Sequence, residues 1–315
     1  MSKPVLINKK IKNFKKKISI SGDKSLSIRW ALLASQATGK SKAYNLLISE
    51  DVLSAISCLK KLGTKINLKK NYCEITGYGL NSFNYKKNLT LNAGNSGTLG
   101  RLILGLLIHS PHKVKLTGDK SLSKRDFSRV INPLKDFGAS FYQKKTNLPL
   151  YIQGTKYVRP IRYFENRGSA QCKSTVMLAA LNTPGKTFIK AKKSRDHTEI
   201  LFKHLKIPIK IKKKKNFDLI EVKGKQNFHA FNYKIPADIS SSAFFIVLTL
   251  LSKKSELTIK NVNLNPSRIG IITILNKMGA KIKLKNKKIY KGEKISDIFV
   301  KSVKSLKSIN CPSNI

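Results

Sequence analysis

Five short segments of this chain set lysine or arginine beside hydroxyls, amides or glycine, most of them just ahead of an apolar helix pattern. Gly22-Asp23-Lys24-Ser25-Leu26-Ser27-Ile28-Arg29 precedes the apolar run 30–37, and Gly94-Asn95-Ser96-Gly97-Thr98-Leu99-Gly100-Arg101 has the same character. Leu116-Thr117-Gly118-Asp119 with Arg125 is the third segment, and Gly168-Ser169-Ala170-Gln171-Cys172-Lys173-Ser174 the fourth. Ser194-Arg195-Asp196-His197-Thr198-Glu199 is the fifth. Cations and hydroxyls at a helix start can clamp phosphate or carboxylate, because they add to the orphan backbone donors of the first turn. Asn95 can orient a substrate oxygen, and Gly97 lets backbone approach an anion closely. Taken singly, each segment also reads as a helix cap or turn, which uses the same residue types. Five of them in one chain point to convergence on one anionic pocket.

Other chemistries lack their residues. Thr38-Gly39-Lys40-Ser41 is similar to the end of a phosphate-binding loop, but Ala34 stands where the first glycine is required. The histidines show no HExxH spacing, and His197 reads as a hydrogen-bonding cap residue. There is no GxSxG elbow and no dinucleotide fingerprint. Cys58, Cys73, Cys172 and Cys311 form no CxxC pair, which argues against a metal site or disulfide framework and fits a reducing cytosol.

The elements that must position these segments follow a repeat. An amphipathic helix, a break and a short apolar strand recur at 52–68, 127–141, 198–211 and 270–284. Gly63, Gly138 and Gly279 end three of the helices, where glycine accepts the left-handed conformation. Ile207 followed by Pro208 takes that place in the third copy, so the four positions lie 75, 69 and 72 residues apart. Ser49, Ser194 and Asn265 read as caps, and 113–116, 187–191 and 256–259 read as strands. The class is α/β, built from a compact βαβ-like unit used several times.

A chain of 315 residues, 41% hydrophobic, suffices for two domains. No run reaches the roughly 18 apolar residues of a membrane helix, and the N-terminus does not read as a signal peptide, so the expectation is cytoplasmic, without a membrane partner. Sixty-three basic against 16 acidic residues give a net charge of +47. The lysines are spread from Lys9 to Lys307 rather than gathered in one arm, which reads as a compositional bias. No specific nucleic-acid partner is expected, and small anionic substrates suit the charge.

In order along the chain, these segments resemble the motifs of the 5-enolpyruvylshikimate-3-phosphate synthase family. Asp23-Lys24-Ser25 to Arg29 is similar to GxKSxSxR, Asn95-Ser96-Gly97-Thr98 to Arg101 to GNxGTxxR, and Leu116 to Arg125 to LTGD…R. Ser169-Ala170-Gln171 and the 194–199 segment match two more. Pro236-Ala237-Asp238-Ile239-Ser240-Ser241 and Asn261-Val262 … Asn265-Pro266 … Arg268 complete the set. Ile28, Trp30 and Asp126 depart from the usual residues beside their motif arginines.

The resemblance implies a two-domain enolpyruvyl transferase fold of repeated βαβαββ units, with substrates between the domains. One domain would be residues 21–235, with three units. The other, incomplete, would be 1–20 plus 236–315. The implied reaction transfers the enolpyruvyl group of phosphoenolpyruvate to the 5-hydroxyl of shikimate 3-phosphate, releasing phosphate, with no cofactor. Lys24 is the implied catalytic residue, touching both substrates. Ser25, Arg29, Ser169, Ser194 and Arg195 go with shikimate 3-phosphate, Asn95, Gly97 and Arg125 with phosphoenolpyruvate, and Gln171 with both. A monomer is implied. The family's Asp-Glu segment follows a Cys-Pro-Ser stretch like Cys311-Pro312-Ser313, and with its later motifs absent this chain alone is expected not to turn over. The alternatives are the related transferase acting on UDP-N-acetylglucosamine, against which Ser25 counts, and a non-catalytic anion- or nucleic-acid-binding protein.

Overall fold

The computed structural model describes residues 6, 11–70 and 72–311. Pro312 and Ser313 of the Cys-Pro-Ser stretch, and most of residues 1–10 of the expected second domain, lie outside the described residues.

The chain begins with β1 (Lys15–Ile18), then α1 (Lys24–Ala34), β2 (Thr38–Tyr44), α2 (Glu50–Lys61), β3 (Lys65–Leu68) and β4 (Tyr72–Tyr78). Next come β5 (Leu89–Asn92), α3 (Gly97–Leu106), β6 (Val114–Thr117), the short α4 (Lys120–Ser123), α5 (Ser128–Asp136), β7 (Ser140–Phe141) and β8 (Leu150–Gln153). A third stretch holds β9 (Arg162–Glu165), α6 (Ala170–Leu181), β10 (Lys186–Lys192), α7 (His197–His204), β11 (Ile209–Lys213) and β12 (Phe217–Lys223). After β13 (Tyr233–Lys234) follow α8 (Ile239–Leu251), β14 (Glu256–Asn263), a 3-10 turn (Pro266–Arg268), α9 (Gly270–Lys277), β15 (Lys283–Tyr290) and β16 (Glu293–Lys301).

These strands form four sheets of one plan. A leading strand pairs in parallel with the strand after the first helix, and a hairpin adds two antiparallel strands. The orders are β13-β2-β4-β3, β5-β6-β8-β7, β9-β10-β12-β11 and β1-β14-β16-β15. Each is a βαβαββ unit, the form the resemblance implies for the βαβ-like repeat read from the period. In the second and third copies the leading strand directly precedes its helix. In the first and fourth it does not: β13 stands beside β2, and β1 beside β14. Contacts accordingly divide the chain into Ser21–Ile235 and a unit made of the residues up to Ile20 and from Pro236 onward.

Left-handed residues end the second helix of each copy. Gly63, Gly138 and Gly279 have φ of +88°, +110° and +97°. In the third copy it is Lys206, at +56°, and not the expected Ile207, that holds this position. The residue following the helix's C-cap Leu205 must turn, and Pro208 two places later cannot donate a hydrogen bond to continue the helix.

Within Ser21–Ile235, α1, α3 and α6 are apolar nearly all round and form the core, as a helix without a polar face must. A Cβ on Gly105 of α3 would lie 2.3 Å from the Thr175 carbonyl oxygen of α6, so glycine permits this close approach. The equivalent helix of the other unit, α8, is just as apolar yet leaves Phe244 80% and Leu251 70% exposed. Part of the lysine excess rests over aromatic rings of the sheets, as in Lys42 over Tyr72 at 4.5 Å, Lys190 over Phe217 at 4.6 Å and Lys285 over Phe299 at 4.5 Å. Among the described residues no helix is long and apolar enough to cross a membrane.

Candidate functional site

The first helix of every copy opens on a capping side chain. Asp23 accepts from Leu26 N at 2.9 Å, Ser96 from Leu99 N at 3.2 Å, Ser169 from Cys172 N at 3.2 Å and Asp238 from Ser240 N at 2.7 Å. Three of the polar segments, at 22–29, 94–101 and 168–174, therefore occupy equivalent places in the fold, the first turns of first helices, where backbone donors and the positive end of the helix dipole favour anions.

Arginines gather around the start of α3. A Cβ on Gly97 would lie 2.9 Å from Arg125 Nη1 and 3.0 Å from Arg101 Nη1. Arg101 donates to the Gly97 carbonyl at 3.2 Å and to Gln171 Oε1 at 2.9 Å, and its guanidinium stacks 4.9 Å from the Phe127 ring centroid. The Gln171 amide nitrogen donates to Thr98 Oγ1 at 3.0 Å. Burial lowers the Arg101 pKa from its usual value, and the positive charges of Arg125 and Arg129 push the same way. Two residues before Gly97, Asn95 donates to Asp119 Oδ2. Asp119 is held below the usual carboxylate range by the Leu122 N–H and the Asn95 amide, and Asp126 by hydrogen bonds from Ser128 and Thr146. Gly97, Arg125, Gln171 and Asn95 thus belong to one neighbourhood.

Arg29 lies elsewhere in the same unit, behind the surface. It is 3% exposed, and it donates to Thr198 Oγ1 at 2.8 Å, to Ser174 Oγ at 3.0 Å and to both the carbonyl and the hydroxyl of Ser25. This arginine ties α1 to α6 and α7, and reaches the surface through Ser25. Lys24, in contrast, is exposed, with its ammonium 3.3 Å from Asp51 at the start of α2.

Ser169 is fixed twice, by its capping hydroxyl and by its backbone N–H, which donates to the buried Glu165 at 2.8 Å. Glu165 also pairs with Arg129. Ser194 does not cap α7, as the sequence suggested; Asp196 holds the cap position. The chain turns one residue pair later, leaving Ser194 Oγ buried with no hydrogen-bond partner among the described residues. Arg195 beside it is exposed. The buried pair Lys173–Glu199 joins α6 to α7 at 2.6 Å.

Arg101 as the partner of Gln171, and the pairs Arg129–Glu165 and Lys173–Glu199, were not singled out from sequence. A signal did exist for Lys173: a lysine in a helix otherwise apolar all round needs a buried partner. In the other unit Arg268 donates to Asp238 Oδ1 at 3.0 Å and to Ser240 Oγ at 2.7 Å, coupling the starts of that copy's helical segments. No group of three metal-ligating side chains occurs among the described residues.

Comparison with known proteins places the chain in a family. The EPSP synthase (3-phosphoshikimate 1-carboxyvinyltransferase) family model matches residues 8–312. A 3-phosphoshikimate 1-carboxyvinyltransferase of Caldicellulosiruptor saccharolyticus is 42% identical over 292 residues, 91% of this chain and 66% of that protein. One from Petrotoga mobilis is 39% identical over 302 residues, 94% of this chain and 68% of that protein. The solved structure of EPSP synthase from Acinetobacter baumannii superposes with a TM-score of 0.86 at 34% identity, covering 96% of this chain and 68% of that one. The chain therefore spans about two thirds of the length of its relatives.

Proposed function

Because this chain belongs to the EPSP synthase family, we propose that it carries the anion-binding part of a 3-phosphoshikimate 1-carboxyvinyltransferase. The reaction moves the enolpyruvyl group of phosphoenolpyruvate to the 5-hydroxyl of shikimate 3-phosphate. The vinyl carbon is protonated, the hydroxyl attacks, and the tetrahedral intermediate expels phosphate. No cofactor enters this scheme, and the protein is a monomer in it. The related transferase acting on UDP-N-acetylglucosamine is not favoured, since the family match and the relatives cited are EPSP synthases.

The observation that carries the reading is the convergence of Arg125 and Arg101 on Gly97, with Gln171 bonded to Arg101. Without a side chain at Gly97, a carboxylate or phosphate can reach the start of α3 and meet Arg125 there. In this scheme Gly97 and Arg125 hold phosphoenolpyruvate, and Asn95 steadies their loop. Gln171 reaches both substrates. Ser25 accepts from Arg29, so its own proton is free to be donated to shikimate 3-phosphate, and polarisation by the guanidinium strengthens that donor. Ser169 is likewise an acceptor toward its own helix and a donor outward. Ser194, with its unpartnered hydroxyl, and the exposed Arg195 add donors for the 3-phosphate. Lys24 supplies a mobile cation between the two ligands. Positioning and fixed positive charge provide the catalysis these residues offer.

Calorimetric titration of the 315-residue chain with shikimate 3-phosphate tests the reading. Saturable binding well above that of inorganic phosphate, weakened at least ten-fold by Ser169→Ala, is expected. Binding no tighter than inorganic phosphate would defeat it.

A further inference from the structure

The charged pair between α6 and α7 is withdrawn from solvent altogether: Lys173 Nζ lies 2.6 Å from Glu199 Oε1, and the side chains are 0% and 3% exposed. Burial raises the Glu199 carboxyl pKa, while Lys173 pulls it back. Such pairs add little stability over well-packed apolar residues, so their retention calls for another reason, and directional registry is one.

The surroundings supply that reason. α7 is only eight residues long, and its cap residue Asp196 makes no side-chain capping bond to it. Leu201 and Phe202 are the buried apolar anchors of this helix. Its start is instead stitched to α6 by polar contacts on consecutive residues. Thr198 Oγ1 lies 2.7 Å from Ser174 Oγ, with Arg29 bonded to both, and Glu199 forms the ion pair with Lys173. Lys173 stands one helical turn beyond Ser169 and two residues beyond Gln171. Glu199 follows Ser194 and Arg195 by five and four residues.

We infer that Lys173–Glu199 is a positioning pair: it sets the register of α7 on α6 and so fixes the Ser194-Arg195 turn relative to Ser169 and Gln171. An apolar contact would fill the same space but would let the short helix slide or rotate. A salt bridge between two buried charges has one deep minimum. The consequence for shikimate 3-phosphate rests on the function proposed above, whereas the registry itself does not.

The test compares Glu199→Gln, Lys173→Met and the double variant Lys173→Met/Glu199→Leu with the parent chain. Backbone hydrogen exchange is followed at 194–198 and at 97–101, alongside calorimetric titration with shikimate 3-phosphate. The double variant leaves no charge unpaired, so it keeps the proposal testable if a single variant fails to fold. Expected in every folded variant is at least ten-fold faster exchange at 194–198 with 97–101 unchanged, and at least ten-fold weaker binding. Lys173→Arg, which keeps the charge, should restore most of both. Parent-like exchange at 194–198 in the double variant would overturn the inference, as would equal acceleration at both segments. If the parent chain itself fails to bind shikimate 3-phosphate, the proposed function falls, and the exchange data still decide the registry.

Discussion

The guanidinium of Arg125 lies where a side chain at position 97 would be: a Cβ there would sit 2.9 Å from its Nη1. Gly97→Ala should therefore displace Arg125 and Arg101 without unfolding α3, because the atoms in the way are the ends of flexible side chains. Expected is at least ten-fold weaker use of phosphoenolpyruvate, read as KM in the whole protein, with an unfolding midpoint close to the parent's. An unchanged KM would remove position 97 from the site.

Arg29 is a keystone of three helices. Arg29→Met removes the charged donor that serves the hydroxyls of Ser25, Ser174 and Thr198, leaving Ser174 and Thr198 to bond each other. Stability should fall by about 1.5–3 kcal/mol, the range for losing hydrogen bonds to a charged group. Urea unfolding of the chain measures it.

Lys24 is the opposite case. Its ammonium is exposed and its ion pair with Asp51 spans 3.3 Å at the surface, so Lys24→Ala should shift stability by no more than about 0.5 kcal/mol. In the whole protein the same change should abolish phosphate release from the two substrates. Normal turnover would show that Lys24 has no part in the chemistry.

Acid should loosen the segment around Arg125 only once pH falls below the usual carboxylate range. Asp126 is held below the usual carboxylate pKa by hydrogen bonds from Ser128 and Thr146. A carboxyl with a depressed folded value stabilises the fold fully above its unfolded pKa of about 3.9, and this is lost as pH falls through the folded value. Thermal unfolding between about pH 5 and pH 2 should show that slope, and Asp126→Asn should flatten it.

The apolar face of α8 should be detectable in solution. Phe244 and Leu251 stand exposed on a helix whose counterparts are buried. A hydrophobic dye should bind the chain, and Phe244→Ser with Leu251→Gln should reduce that binding several-fold. Dye binding unaltered by the pair would place the apolar surface elsewhere.

Much of this protein was legible in the residue order because the signals are local. Helix ends at Gly63, Gly138 and Gly279 need only backbone sterics, and the first-helix caps Asp23, Ser96 and Ser169 need only the orphan donors they serve. The repeat follows from their spacing, and the anion chemistry from which residues stand beside the caps. The third copy shows the limit: Ile207 looked like the turning residue, but the turn falls on Lys206, since helix length is settled by packing.

What only the tertiary structure decided are relations between distant segments. Parallel pairing of β1 with β14 and of β13 with β2 depends on which edges remain free once the hairpins form. That Arg29 meets Thr198, 169 residues away, in the interior is decided only by the packing of α1 against α7. Lys173 signals in the sequence that it needs a buried partner, but only the packing of α7 on α6 makes that partner Glu199. Sequence specifies the groups and their local conformation, and desolvation, which exists only once helices meet, chooses their partners.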